Sequence, residues 1–110
     1  MSDLFQRICQ LIDAGDVRIS AHGYDEMSQE GIAVRDLISS TLNSTLVEDY
    51  PDYPDYPKGP CALVLHFDAE GQPIHVVWGI PKGYDNPVVL VTAYRPDPER
   101  WDETFLKRRS

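Results

Sequence analysis

Tyr94 and Arg95 directly follow an apolar run over residues 88–93. An arginine at the end of a buried strand must stay solvated or bind an anion, and its planar guanidinium suits a phosphate. Acids at positions 97, 99 and 102 offer a salt bridge as the alternative. Prolines at 96 and 98 end the strand and fix the direction in which the chain leaves it. The segment therefore predicts either an anion-binding site or an ion pair at the strand end.

His75 is the best candidate for general acid–base catalysis, because an imidazole titrates near neutral pH. It lies in the apolar run over residues 73–80, where strand alternation places it on one face with Val77. If this strand pairs with the following one, His75 would share a face with Thr92 and Tyr94. The alternative is a half-buried histidine that forms a hydrogen bond with the backbone.

The other two histidines are expected at element ends. His22 would lie in the first turn of a helix, where it would help free backbone N–H groups to bind an anion or would make a simple capping contact. His66 precedes a turn and is expected to face solvent. The spacing of the three histidines matches no short metal-ligand motif, and Cys9 and Cys61 show no CxxC spacing. We therefore expect reduced cysteines, no metal and no other cofactor.

An α+β fold would position these residues. Apolar residues recur at helical spacing in three segments, which are residues 3–14, 21–30 and 34–43. Four segments have the composition of strands, which are residues 45–50, 62–67, 73–80 and 88–94. Ser20 is the expected N-cap of the second helix, residues 17–19 an extended link, and a short C-terminal helix would carry Trp101 and Phe105 as a core anchor. Short sequential connections favour an antiparallel four-stranded sheet with the N-terminal helices packed on one face.

The composition predicts one domain over residues 1–110, with 42% hydrophobic residues. Because the sequence has neither a signal-peptide pattern nor an apolar run of about 20 residues, we expect a cytoplasmic protein with no membrane partner. The net charge is −8, and residues 1–57 account for all of it, with 11 acids and 3 bases. Any anion-binding surface is therefore expected to come mostly from residues 58–110, where seven acids balance seven bases.

A Tyr-Pro-Asp repeat occupies residues 50–60. Its prolines are incompatible with the interior of a helix or of a sheet. The repeat predicts an extended surface loop, or an aromatic rim that stacks on a base or on a partner peptide.

Five segments resemble, in order, the motifs of a bacterial family of domains of unknown function, number 4258. These segments are residues 19–22, 31–32, 48–51, 73–77 and 92–101. The resemblance extends over residues 17–109. Members of that family resemble small toxins of the RelE-like (BECR) ribonuclease fold, and some are encoded beside zinc-finger antitoxins of the MqsA type.

The resemblance implies a toxin-like endoribonuclease of a bacterial toxin–antitoxin system, which cleaves RNA without a metal and has an antitoxin protein as partner. The site residues that it implies are His22, His75, Thr92, Tyr94 and Arg95. A base would deprotonate a ribose 2′-hydroxyl, a cation would stabilise the phosphate and an acid would protonate the leaving oxygen. His75 would be base or acid, with Arg95 as phosphate clamp. Tyr94 would stack or donate a proton, and His22 would be the second acid or base.

The chain departs from the family pattern after His22, where Glu26 and Glu30 stand at positions that often carry arginine. Carboxylates near an RNA backbone replace attraction with repulsion. Two alternatives therefore stay open. One is a degenerate toxin of the same family, and the other is a non-catalytic protein-binding module that uses Tyr53 and Tyr56 of the repeat.

Overall fold

The computed structural model describes residues 2–50 and 59–109, so most of the Tyr-Pro-Asp repeat lies outside the described residues. The helices of this part are α1 (Asp3–Asp13), α2 (Ala21–Glu30), α3 (Val34–Ser39) and a 3₁₀ turn (Thr41–Asn43). Its strands are β1 (Val17–Ile19), β2 (Thr45–Tyr50), β3 (Cys61–Phe67), β4 (Pro73–Gly79) and β5 (Val88–Tyr94). The predicted α+β class is confirmed. Among the described residues, the helices are all too short or too polar to cross a bilayer.

The predicted N-cap of α2 is confirmed. The Ser20 Oγ accepts a hydrogen bond from the Gly23 backbone N–H at 2.9 Å and donates one to the Val91 carbonyl at 2.9 Å. Gly23 lets α2 approach β5 closely, because a Cβ at this position would lie 2.7 Å from Leu90 Cδ2 and 2.9 Å from the Leu90 carbonyl oxygen. The serine and the glycine together fix α2 on the sheet.

The third helix is shorter than predicted. The Ser40 and Thr41 hydroxyls both donate hydrogen bonds to the Leu37 carbonyl, at 3.2 and 3.0 Å. Such side chains compete with the backbone for helical carbonyls. The chain accordingly leaves the α-helix at Ser39 and continues as the 3₁₀ turn.

The sheet has five strands in the order β1-β5-β4-β3-β2, and this corrects the prediction of a four-stranded antiparallel sheet. The link over residues 17–19 is an edge strand that pairs in parallel with the start of β5, with Val17 opposite Val88. The other pairs are antiparallel. Three residues are too few to show the alternation that predicts a strand.

The two faces of the sheet differ in chemistry. Residues paired directly across strands share a face. One face packs against the helices, and its fully buried side chains include Ile74, Val76 and Trp78 of β4 and Leu90 of β5. The opposite face carries His75, which is paired with Tyr94. We call the helix-covered side the helical face and the His75 side the open face.

Residues 95–109 form turns on the open face, which corrects the predicted C-terminal helix. The Asp97 and Asp102 carboxylates accept hydrogen bonds from the backbone N–H groups of Glu99 and Thr104, at 2.8 and 3.0 Å. These Asx turns compete with helical hydrogen bonding. Trp101 is buried, as an anchor should be, and forms an isolated antiparallel bridge with Arg108.

Candidate functional site

His75 on β4 is fully buried on the open face, and both of its ring nitrogens have partners. Nε2 lies 2.8 Å from the Phe105 carbonyl oxygen. Because a carbonyl only accepts, Nε2 carries the proton and Nδ1 of the neutral ring has a free lone pair. Nδ1 lies 3.2 Å from the Tyr94 hydroxyl. The Tyr94 hydroxyl therefore donates a hydrogen bond to Nδ1 of His75, and the phenolic oxygen keeps lone pairs that can accept a further hydrogen bond.

Burial sets the protonation of this pair. It lowers the pKa of His75, the Arg108 charge lowers it further, and the Phe105 carbonyl and Glu48 oppose the shift. Burial also raises the pKa of the half-buried Tyr94 hydroxyl. At neutral pH the pair is consequently a neutral imidazole beside a neutral phenol.

A second set of polar side chains surrounds Glu48 of β2. One Glu48 carboxylate oxygen lies 2.5 Å from Nη1 of Arg108, and the other accepts a hydrogen bond from the Tyr50 hydroxyl at 2.5 Å. Burial, followed by Glu48, raises the pKa of Tyr50 to about 12. The Arg108 side chain is 60% exposed, so its guanidinium is open to solvent as well as to Glu48.

The Trp101 ring contacts both the His75 ring and the Arg108 guanidinium. The ring lies edge-on to His75 with a centroid distance of 4.4 Å, and the Arg108 guanidinium carbon lies 4.8 Å from its centroid. Phe105, which supplies the carbonyl to His75, lies in a turn and has a φ of 60°, a conformation that is rare for a bulky residue. We call the polar side chains of this region the open-face cluster; its members are Glu48, Tyr50, His75, Tyr94 and Arg108.

Thr92 lies on the same face of the sheet as this cluster, whereas Arg95 forms an ion pair with a residue outside it. Thr92 pairs with Val77, so it lies on the open face two residues before Tyr94. Arg95 places Nη1 2.8 Å from an Asp68 carboxylate oxygen and 3.5 Å from the Pro73 carbonyl. The ion-pair alternative therefore describes Arg95, but its partner is an acid of the β3–β4 turn rather than one of the acids that follow it in sequence.

His22 is remote from the cluster. It lies on α2, which packs against the helical face of β5, and its side chain is 67% exposed. Its Nε2 lies 3.5 Å from a Glu26 carboxylate oxygen. Of the five predicted site residues, the structure brings His75 and Tyr94 into contact, places Thr92 on their face and separates His22 from them.

His66 is fully buried, so the prediction that it faces solvent is wrong. It pairs with Ile74, which places it on the helical face. Its Nε2 accepts a hydrogen bond from Trp78 Nε1 at 3.0 Å, and its Nδ1–H donates to the Ser40 hydroxyl at 3.0 Å. Burial lowers the pKa of His66 to about 4. His66 is thus a neutral histidine of the core.

Glu48 and Arg108 were missed as site residues from sequence. They are 60 positions apart, and their contact depends on the C-terminal segment crossing the open face. The available signals were an acid within a strand pattern and a basic tail over residues 107–109. No group of three His, Cys, Asp or Glu side chains within residues 2–50 and 59–109 is arranged to hold a metal ion.

The fold and the open-face cluster define a small α+β domain in which a buried histidine contacts a half-buried tyrosine. A family model described as a domain of unknown function, DUF4258, matches residues 19–95, and the chain belongs to this family. The matched region includes Glu48, His75 and Tyr94 and stops before Trp101 and Arg108. No curated protein and no solved structure matches the chain.

Proposed function

We propose that this protein is a toxin-like, metal-independent endoribonuclease of a bacterial toxin–antitoxin system, with the open-face cluster as its active site. The observation that carries the proposal is the chain of contacts from Tyr94 through His75 to the Phe105 carbonyl. A reactive hydroxyl, a neutral imidazole and a third group that orients the imidazole form a proton relay. The family resemblance, which implies a RelE-like ribonuclease fold, supports the same reaction class.

Tyr94 acts as the general base in this proposal. Its oxygen accepts the proton of a ribose 2′-hydroxyl while its own proton passes to Nδ1 of His75. The imidazolium that forms donates from both nitrogens, to Tyr94 and to the Phe105 carbonyl. His75 does not contact the RNA and is a positioning and proton-accepting residue.

Arg108 stabilises the phosphate. Its guanidinium is exposed and is held over Trp101, so a phosphate oxygen can replace part of its contact with Glu48. The 2′-oxygen attacks phosphorus, the bond from phosphorus to the 5′-oxygen breaks, and the leaving oxygen takes a proton from water. The products are a 2′,3′-cyclic phosphate and a 5′-hydroxyl, and His75 returns its proton to solvent through Tyr94.

The two acids that replace arginines of the family pattern, Glu26 and Glu30, are remote from the open face. Glu26 and Glu30 lie on α2, which covers the helical face. Packed layers are about 10 Å apart, and charges are screened over about 8 Å at physiological ionic strength. The repulsion that these carboxylates exert on RNA at the open face is therefore weak.

The test is cleavage of single-stranded RNA by the purified protein in EDTA, with the product ends identified by mass spectrometry. We expect 2′,3′-cyclic phosphate ends, and loss of cleavage in Arg108→Gln. The matched control is Arg35→Gln, which removes the same charge from α3 in the helical layer. Intact RNA with the folded protein, or equal cleavage by Arg108→Gln, would overturn the proposal. Induced expression of the protein should arrest bacterial growth, because the protein would cleave cellular RNA.

A further inference from the structure

The Glu48 carboxylate contacts the same guanidinium that is to hold the phosphate in the proposed function. One of its oxygens lies 2.5 Å from Nη1 of Arg108, and the other accepts the hydrogen bond from the Tyr50 hydroxyl. A guanidinium binds carboxylates and phosphates through the same N–H donors. A phosphate that approaches Arg108 therefore meets an anion of the protein itself at the donors that it needs.

Arg108 has two contacts besides Glu48 that fix its position. Its guanidinium carbon lies 4.8 Å from the centroid of the buried Trp101 ring, and its backbone forms the antiparallel bridge with Trp101. The next residue continues this pairing, because the Arg109 N–H donates a hydrogen bond to the Arg100 carbonyl at 2.8 Å. These contacts do not involve the carboxylate, so Glu48 occupies the guanidinium without being needed to place it.

The surroundings of Glu48 make its carboxylate unfavourable beside a bound phosphate. Its side chain is only 26% exposed, and the oxygen that faces Arg108 is buried and has no hydrogen-bond partner among the described residues. The charge of Arg108 therefore neutralises this oxygen. A phosphate that draws the guanidinium away leaves a partly buried carboxylate without compensation and places a second anion beside it. Both effects weaken the binding of phosphate.

We propose that Glu48 is an internal competitor that restrains phosphate binding at the open-face cluster, and this inference rests on the phosphate-holding role that the proposed function gives to Arg108. In the free protein the carboxylate occupies the guanidinium, and an RNA backbone must displace it in part before Arg108 can hold the phosphate. The opposite role, in which Glu48 orients Arg108 toward the phosphate, predicts weaker binding when the carboxylate loses its charge.

The test is the binding of fluorescein-labelled single-stranded DNA at low salt, measured by fluorescence anisotropy. This probe lacks the 2′-hydroxyl, so the proposed reaction cannot cleave it. Glu48→Gln removes the charge and keeps an oxygen that accepts the hydrogen bond from Tyr50. We expect it to bind the DNA about tenfold more tightly than the wild type. The matched control is Glu26→Gln, which removes the same charge from α2 and should change the affinity by less than about twofold.

A double variant shows whether the gain passes through Arg108. In a protein that already carries Arg108→Gln, the further change Glu48→Gln should tighten DNA binding by less than about twofold, because the carboxylate then has no guanidinium to occupy. Weaker or unchanged binding by Glu48→Gln alone would overturn the inference. An equal gain with and without Arg108, or no binding of DNA by any of these proteins, would overturn it as well.

RNA cleavage separates this inference from the proposed function. If both hold, Glu48→Gln should lower the KM for RNA by about tenfold. Tighter DNA binding that requires Arg108, together with intact RNA, would refute the ribonuclease and leave a restrained phosphate site. RNA cleavage by the wild type, together with unchanged DNA binding by Glu48→Gln, would refute the competitor and leave the ribonuclease.

Discussion

The buried imidazole of His66 should make the protein sensitive to mild acid. His66 accepts a hydrogen bond from Trp78 Nε1 through Nε2, so protonation of Nε2 breaks this contact and places a charge in the core. The perturbation is a change of pH from 7.5 to 5. Because carboxylates have ordinary pKa values of about 4, few of them titrate in this range, and the change in stability that His66 causes can be measured separately.

The magnitude follows from linkage. The pKa of His66 is about 4 in the folded protein and 6.5 in its ordinary state. The unfolded chain therefore binds the proton first, and stability that is fully present above pH 6.5 is lost as the pH falls toward 4. Between pH 7.5 and 5 the free energy of unfolding should fall by about 2 kcal/mol on account of this residue.

Urea denaturation at pH 7.5 and pH 5 measures the effect, with His66→Gln as the variant that cannot titrate. The lowered pKa of His75 acts in the same direction, but it contributes equally to both proteins and cancels in the difference. We expect the wild type to lose about 2 kcal/mol more than the variant between the two pH values. An equal loss in the two proteins would refute the structural role assigned to His66.

Two further substitutions test the packing of α2 and the role of Arg95. Gly23→Ala should lower the free energy of unfolding by about 1–3 kcal/mol, because the new methyl group overlaps Leu90, although alanine favours the helix. Thermal melts beside Ser28→Ala, an exposed control in the same helix, measure this, and unchanged stability would mean that α2 lies farther from the sheet. Arg95→Gln should destabilise by less than about 1 kcal/mol, since its partly exposed pair with Asp68 is weak, and should retain RNA cleavage. Loss of cleavage with an unchanged melting curve would show that Arg95 contacts RNA.

Sequence patterns that extend over a few residues predicted much of the fold. The Ser20 cap and the helix that it begins follow from hydrogen-bonding rules that act over a few residues. Strand alternation also placed His75 and Tyr94 on one face, and the register pairs them directly. The parallel edge strand β1 was missed because it is only three residues long, and the C-terminal turns because Asx hydrogen bonds replaced the helix.

The candidate site depends on contacts that no local pattern contains. Trp78 and Ser40 decide that His66 is a core residue, and they lie 12 and 26 positions away. The two members of the Glu48–Arg108 pair are 60 positions apart, and they meet because the C-terminal segment crosses the sheet. A sequence pattern shows which residues are charged, but the long-range packing decides which charges meet.

The most direct test of the central claim is single-turnover cleavage of RNA by Tyr94→Phe. This change removes the hydroxyl that faces Nδ1 of His75 and keeps the ring. We predict a loss of cleavage rate of about 10²–10⁴, the usual contribution of general base catalysis, with a free energy of unfolding within about 1.5 kcal/mol of the wild type. A rate equal to that of the wild type would contradict the account, because the phenolic oxygen would then take no part in the reaction.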